Sequence, residues 1–272
     1  MRGMRAWSGR LRVLPDFLII GAEKCGTTSL YKALTAHPDV CAARRKEPHF
    51  FDYHYARGET WYRAWFPFLW VRALRRRLRG SFATGEASPD YIFHPHAARR
   101  AKELLPHAKL IAILRDPAER AWSHYQQQVR KGRDPLSFEE ALAREPERVD
   151  APLARMQRDE TLTVESVTRF SYLARGRYAE QLERWLAHYP RESLLVLRSE
   201  DLAAAPSATV GRALAFLGLD ARAGGEPRAE RRNVGGYEHA LEPALRRRLA
   251  DYFEPHDARL RDLLGTEPGW GP

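Results

Sequence analysis

Phe17-Leu-Ile-Ile-Gly21-Ala-Glu-Lys24-Cys25-Gly26-Thr27-Thr28-Ser29-Leu30 is an apolar run, a glycine-bracketed turn and the opening of an amphipathic segment that continues to His37. A short apolar run closed by glycine reads as a strand buried on both faces, and the segment after Gly26 reads as a helix. Two further stretches repeat the alternation. Lys109–Leu114 is an apolar run followed by Arg115-Asp-Pro117 and a helix from Ala118 to about Arg130, with Pro117 suited to a first helical turn. A helix over Tyr178–His188, with Leu182, Trp185, Leu186 and Tyr189 on one face, leads into the run Ser193–Leu197. Doubly buried strands alternating with helices predict an α/β protein with a parallel sheet flanked by helices. Further helices are expected at Ser207–Leu217, Glu242–Phe253 and Ala258–Leu264. Residues 145–170 and 220–240, rich in charge, proline and glycine, read as long irregular stretches. No repeat or linker divides the chain, so one domain is expected over 1–272, with 1–14 as a flexible N-terminal segment.

The 272 residues are 44% hydrophobic and 29% charged, with seven Trp, eleven Tyr and eleven Phe. That much apolar and aromatic surface can offset chain entropy and excludes a disordered tail. Cys25 and Cys41 are the only cysteines, too few for a disulfide framework or a tetrathiolate metal site. No apolar run approaches the ~20 residues of a membrane span, and Met1–Arg12 lacks the apolar core of a secretory signal. A cytoplasmic location is therefore expected. The net charge of +10, carried by 39 arginines and only six lysines, favours an anionic partner.

The first loop is suited to such a partner. Gly21-x4-Gly26-Thr27-Thr28 nearly matches the nucleotide-triphosphate loop, but Thr27 stands where that motif needs lysine, and Lys24 lies inside the loop. A phosphate can still be cradled by close backbone approach at Gly26, by the first-turn amides and dipole of the following helix, and by the Thr27 and Thr28 hydroxyls. No second strand ends in an aspartate that would complete a magnesium site.

In these residues the chain resembles the sulfotransferases that use 3′-phosphoadenosine-5′-phosphosulfate (PAPS), nearest to the heparan-sulfate-type enzymes and their bacterial relatives. Phe17–Leu30 looks like the family's 5′-phosphosulfate loop, with His37-Pro38-Asp39 following it. Leu114-Arg115-Asp-Pro-Ala-Glu-Arg-Ala-Trp-Ser123-His-Tyr125 looks like its 3′-phosphate motif. Arg115 at a strand end and Ser123 two turns into the next helix could both reach one phosphate, arginine as a bidentate fork and serine as a hydroxyl donor. The likeness runs from about residue 16 to 265 and implies the P-loop-like sulfotransferase fold. It also implies a cofactor site drawn from Lys24, Cys25, Gly26, Thr27, Thr28, Ser29, Arg115 and Ser123, PAPS as donor, PAP (adenosine 3′,5′-bisphosphate) as product, and no metal.

Lys46-Glu47-Pro-His49-Phe-Phe-Asp52 resembles the Glu-x-His-Phe-Phe-Asp catalytic segment of the 3-O-sulfotransferases. That likeness implies Glu47 as the base, with His49 and Asp52 orienting it and Lys24 stabilising the leaving phosphate oxygen. Without it, a surface Glu, a core His and a capping Asp is the plainer reading. Gly85-Glu86-Ala87-Ser88-Pro89-Asp90 resembles a Glu-Lys-Ser/Thr-Pro segment with Ala87 in place of lysine; Glu86 and Ser88 are expected to line the acceptor site. Tyr172 or Arg175 is expected to touch cofactor or acceptor, and Arg231-Arg232-Asn233 occupies the position of the family's late basic loop over the 3′-phosphate. The aromatic and basic run Trp61–Arg79 reads as core and cleft lining with a solvated arginine face, two segments broken at Pro67, and membrane contact is not expected.

The resulting expectation is in-line transfer of a sulfuryl group to a hydroxyl, or an amine, of a carbohydrate or small natural-product acceptor. A small-molecule kinase using ATP and Mg²⁺ would share the sheet and first loop. A nucleic-acid-binding module would explain the charge, but the sequence offers it no reading element, so nucleic acid is not expected as a partner. Oligomeric state is not legible.

Overall fold

The computed structural model describes residues 8–223 and 240–270. Its strands are β1 (Phe17–Gly21), β2 (Val40–Ala42), β3 (Ala83–Ala87), β4 (Lys109–Leu114) and β5 (Leu194–Arg198), all parallel in the order β2-β3-β1-β4-β5. The helices begin with α1 (Thr27–Thr35), α2 (Gly58–Arg63), α3 (Leu69–Arg79), α4 (Ala97–Leu104), α5 (Pro117–Arg130) and α6 (Phe138–Ala143). There follow α7 (Ala151–Arg158), α8 (Glu165–Phe170), α9 (Tyr178–Leu186), α10 (Ser199–Ala204), α11 (Pro206–Leu217) and α12 (Pro243–Leu264). Every residue of β1 is buried, and burying Leu18, Ile19 and Ile20 is worth roughly 1.5–3 kcal/mol apiece. The expected α/β class with a parallel sheet flanked by helices is the architecture observed.

Strand order decides where chemistry can occur. β3, β1 and β4 are neighbours, with Phe17 opposite Gly85 on one side and Lys109 on the other. Their C-terminal ends therefore emerge together, and in open parallel sheets ligands bind at that edge. The loop after β1 carries Lys24 and Gly26, Arg115 follows β4, and Ala87 ends β3.

Four local expectations are corrected. The N-terminal segment was expected to be flexible over 1–14, yet residues 8–14 are tied down: Val13 is buried, its N–H donates to the Pro67 carbonyl at 3.0 Å, and the Arg12 guanidinium donates to the Phe66 carbonyl at 2.8 Å. Residues 145–170 are mostly helical, because Val149, Met156 and Val167 provide buried anchors and Arg148 lies 3.4 Å over the Phe170 ring. The two expected C-terminal helices are one, α12, which runs through Pro255; Leu245, Leu249, Phe253 and Leu260 form a buried stripe that offsets the hydrogen bond proline removes. The run 61–79 does break at Pro67, and Tyr62 and Phe66 are core, Tyr62 stacking on Phe50 at 4.4 Å. Its second half is inverted, however: α3 buries none of its apolar residues.

Candidate active site

Gly26 adopts a left-handed conformation, φ +97°, that glycine takes without strain, and it caps α1. A glycine cap supplies no side chain, so the first-turn amides of α1 lack a capping group of the usual kind. Lys24 in the same turn also has positive φ, +70°. Burial lowers its ammonium below the usual lysine value; Glu23 opposes this, while the cations of Arg130, Lys131 and Arg115 press in the same direction as burial. An anion bound among these cations would relieve the crowding. Thr27 and Ser29 are buried and Thr28 is half-buried. The Cys25 thiol is fully buried 3.7 Å from the Tyr178 hydroxyl, and burial pushes it up to about 11, so only its backbone is available to a ligand.

Arg115 leaves β4 as expected, with Asp116 capping α5 through the N–H groups of Ala118 (2.9 Å) and Glu119 (3.0 Å) and Pro117 in the first turn. The Arg115 guanidinium lies 3.2 Å from Glu119, and its carbonyl accepts from the Tyr178 hydroxyl at 2.9 Å. Ser123 is buried two turns into α5. Arg246 of α12 reaches Asp116 (3.2 Å) and Glu119 (2.9 Å), a pairing the sequence reading did not anticipate.

The segment after β2 is hung on the end of β3. The Glu47 N–H donates to the Ala87 carbonyl at 3.2 Å, and the His49 N–H to Ser88 Oγ at 3.2 Å, both residues with positive φ, +60° and +50°. The Glu47 carboxylate pairs with Lys46 and is partly exposed. His49 Nδ1 lies 2.8 Å from Asp52 Oδ2 and 3.9 Å from Asp90 Oδ2. Burial alone would lower His49, but the hydrogen bond and charge of Asp52, with Asp90 and Glu47 behind it, hold it up at about 9, so it is an imidazolium at neutral pH.

Glu86 and Ser88, expected at the acceptor side, are both completely buried. Glu86 accepts from Tyr62 (3.1 Å) and Tyr91 (2.7 Å) at Oε1 and from Ser88 (2.8 Å) at Oε2. Burial raises its carboxyl to about 7 against the pull of the Tyr91 and Ser88 hydroxyls. Its distance from solvent makes it a support: Glu86 fixes Ser88, and Ser88 fixes the His49 backbone. Tyr172 is likewise buried. It sits in a small second core with Tyr125 and Phe138, its hydroxyl donated to Asp134 at 2.7 Å. Arg231, Arg232 and Asn233 lie outside the described residues.

Arg175, by contrast, is central. Buried, it reaches Asp90 at 2.6 Å and Glu23 at 3.6 Å. The chain Glu23, Arg175, Asp90, His49, Asp52 is thus a run of alternating charge from the phosphate-type loop to the Glu47 segment. Its members are scattered over more than 150 residues, and apart from His49 and Asp52, which share one short segment, no local pattern joins them.

A parallel sheet whose central strand ends in an anion-cradling turn, with an arginine-bearing turn on the neighbouring strand, is the framework of P-loop-like group-transfer proteins. The sulfotransferase domain family matches residues 14–234. Human heparan sulfate glucosamine 3-O-sulfotransferase 6 is 33% identical over 97% of this chain and 75% of its own. Human bifunctional heparan sulfate N-deacetylase/N-sulfotransferase 3 is 34% identical over 76% of this chain and 22% of its own. The crystal structure of a sulfotransferase from Alicyclobacillus acidocaldarius, 34% identical, superposes with a TM-score of 0.70, covering 93% of this chain and 97% of that one. The chain belongs to the sulfotransferase family. It is a sulfotransferase with the P-loop-like sulfotransferase fold, and the kinase alternative is not favoured.

Proposed function

We propose that this protein transfers the sulfuryl group of PAPS to a hydroxyl of a carbohydrate acceptor, with Glu47 as general base. The observation that carries this reading is the convergence of the β1 loop, Arg115 and the Glu47 segment on the C-terminal edge of three adjacent strands. The heparan sulfate activity of the named relatives supports a carbohydrate over a small aromatic acceptor. PAPS supplies an activated S–O bond whose cleavage releases PAP. Glu47 accepts the acceptor's proton as the acceptor oxygen attacks sulfur in line. Lys24, the first-turn amides of α1 and the Thr27 and Thr28 hydroxyls stabilise the charge developing on the departing phosphate oxygen. Arg115 and Ser123 hold the 3′-phosphate. His49, fixed by Asp52 and Ser88, keeps the Glu47 turn in place. No covalent enzyme intermediate is required.

The test is Glu47→Gln, assayed for transfer from radiolabelled PAPS to desulfated heparan oligosaccharides and, separately, for PAP binding by calorimetry. Turnover should fall by roughly 10²–10⁴-fold with PAP affinity nearly unchanged. Normal turnover in this variant removes Glu47 as the base. Activity that EDTA abolishes and ATP sustains would restore the kinase reading.

A further inference from the structure

Helix α3 is amphipathic in the wrong sense for a helix of a globular domain. Two of its arginines tie it to the protein: Arg75 donates to the Pro38 carbonyl at 3.0 Å, and Arg79 pairs with Asp39. Its apolar stripe faces out, with Trp70, Leu74 and Leu78 at 64%, 48% and 73% exposure, four residues apart and so on one face. Leu69 and, across the Arg12–Phe68 bridge, Leu11 extend the patch. Of the seven large hydrophobic residues exposed among the described residues, these are five. Single exposed leucines are ordinary, but a contiguous row along one helix marks an interaction surface.

We propose that α3 is a membrane-surface helix that lays Trp70, Leu74 and Leu78 into the interface of an anionic lipid bilayer. The charge pattern selects this occupant. Arg77, exposed and seven residues after Trp70, borders the apolar stripe on one side, and Arg75, four after Val71, closes the other side where it donates to the Pro38 carbonyl. An apolar stripe bordered by cations fits a layer of acyl chains beneath anionic headgroups. A second copy of the same helix would set these arginine borders against one another. The position in the fold agrees with this role. Asp39, which pairs with Arg79, immediately precedes β2, and Ser81, which donates to Asp39, lies two residues before β3. The helix therefore lies at the N-terminal edge of the sheet, and the candidate active site opens about one strand length, roughly 16 Å, away on the opposite edge. Docked through α3, the protein would present its site to solutes and to surface-linked glycans on the side facing away from the bilayer.

Cosedimentation of the full chain with vesicles tests the proposal. It should bind mixed phosphatidylcholine–phosphatidylglycerol vesicles, bind pure phosphatidylcholine far more weakly, and release at high salt. The double variant Leu74→Glu, Leu78→Glu should bind the mixed vesicles at least roughly tenfold more weakly, while its circular dichroism and its transfer to a soluble acceptor match wild type. Arg77→Glu should narrow the preference for anionic over neutral vesicles. Wild-type protein that ignores mixed vesicles, or a double variant that binds them undiminished, overturns the proposal. So does a wild-type dimer, seen by analytical ultracentrifugation, that Leu78→Glu dissociates and that binds no vesicles, since α3 would then be covered by a second copy.

Discussion

The Tyr178 hydroxyl donates to the Arg115 carbonyl at 2.9 Å, joining the first residue of α9 to the turn that ends β4. The same hydroxyl lies 3.7 Å from Cys25 Sγ in the β1 loop. One buried group thus ties together the two turns proposed to hold the nucleotide's phosphates. Tyr178→Phe leaves the ring packing intact and the Arg115 carbonyl unpaired. It should cost about 1–3 kcal/mol in urea denaturation and weaken PAP binding in calorimetry. An unchanged PAP affinity would mean that the two turns hold their spacing without it.

Arg115→Ala should weaken binding of PAP by roughly ten- to hundredfold while scarcely changing that of adenosine 5′-phosphosulfate, which lacks the 3′-phosphate. Competition calorimetry with the two nucleotides measures this. Equal losses for both would assign Arg115 to the 5′ end or to folding.

Arg175 neutralises Asp90 and Glu23 in a buried setting. Arg175→Met keeps much of the volume and strands both carboxylates, so destabilisation of about 3–5 kcal/mol is expected by chemical denaturation. Adding Asp90→Asn to Arg175→Met should recover part of the loss, because it removes one of the uncompensated charges.

His49 is held up at about 9 from an ordinary 6.5. The folded state therefore binds a proton more tightly than the unfolded chain. The stabilisation from this pair is complete below about pH 6.5 and is lost as pH rises through about 9, an amount of about 3 kcal/mol. Denaturation curves of wild type and His49→Gln should converge between those values; a constant difference across that range would mean His49 is not charged in the folded protein.

Glu86 behaves in the same sense at lower pH. Its carboxyl, raised to about 7 from 4.5 by burial, contributes stability that is present below about 4.5 and lost as pH rises through 7. Glu86→Gln should flatten that part of the wild-type stability profile, read as the difference between the two proteins' denaturation midpoints at pH 5 and pH 8 in matched buffers (about those values suffice).

β1, β4 and β5 were legible because each is an uninterrupted apolar run, a signal confined to a few neighbouring residues. β3 was not: Ala-Thr-Gly-Glu-Ala has no apolar run, and it is a strand because it lies between β1 and β2, with Glu86 satisfied by Tyr62, Tyr91 and Ser88. Missing β3 also hid why Glu47 belongs beside the β1 loop, since Ala87 is the residue that holds it.

The sequence by itself determined the alternation of strand and helix, the glycine-bracketed turn that can hold an anion, and the residue types available to it, because these follow from periodicity and backbone freedom within a dozen residues. Only the tertiary structure decided which charges share a buried line, as Glu23, Arg175, Asp90, His49 and Asp52 do, that Glu86 and Tyr172 serve as supports, and that the apolar face of α3 turns outward. Those outcomes depend on the strand order and on which distant polar groups are brought together out of water, where each charge must find its partner.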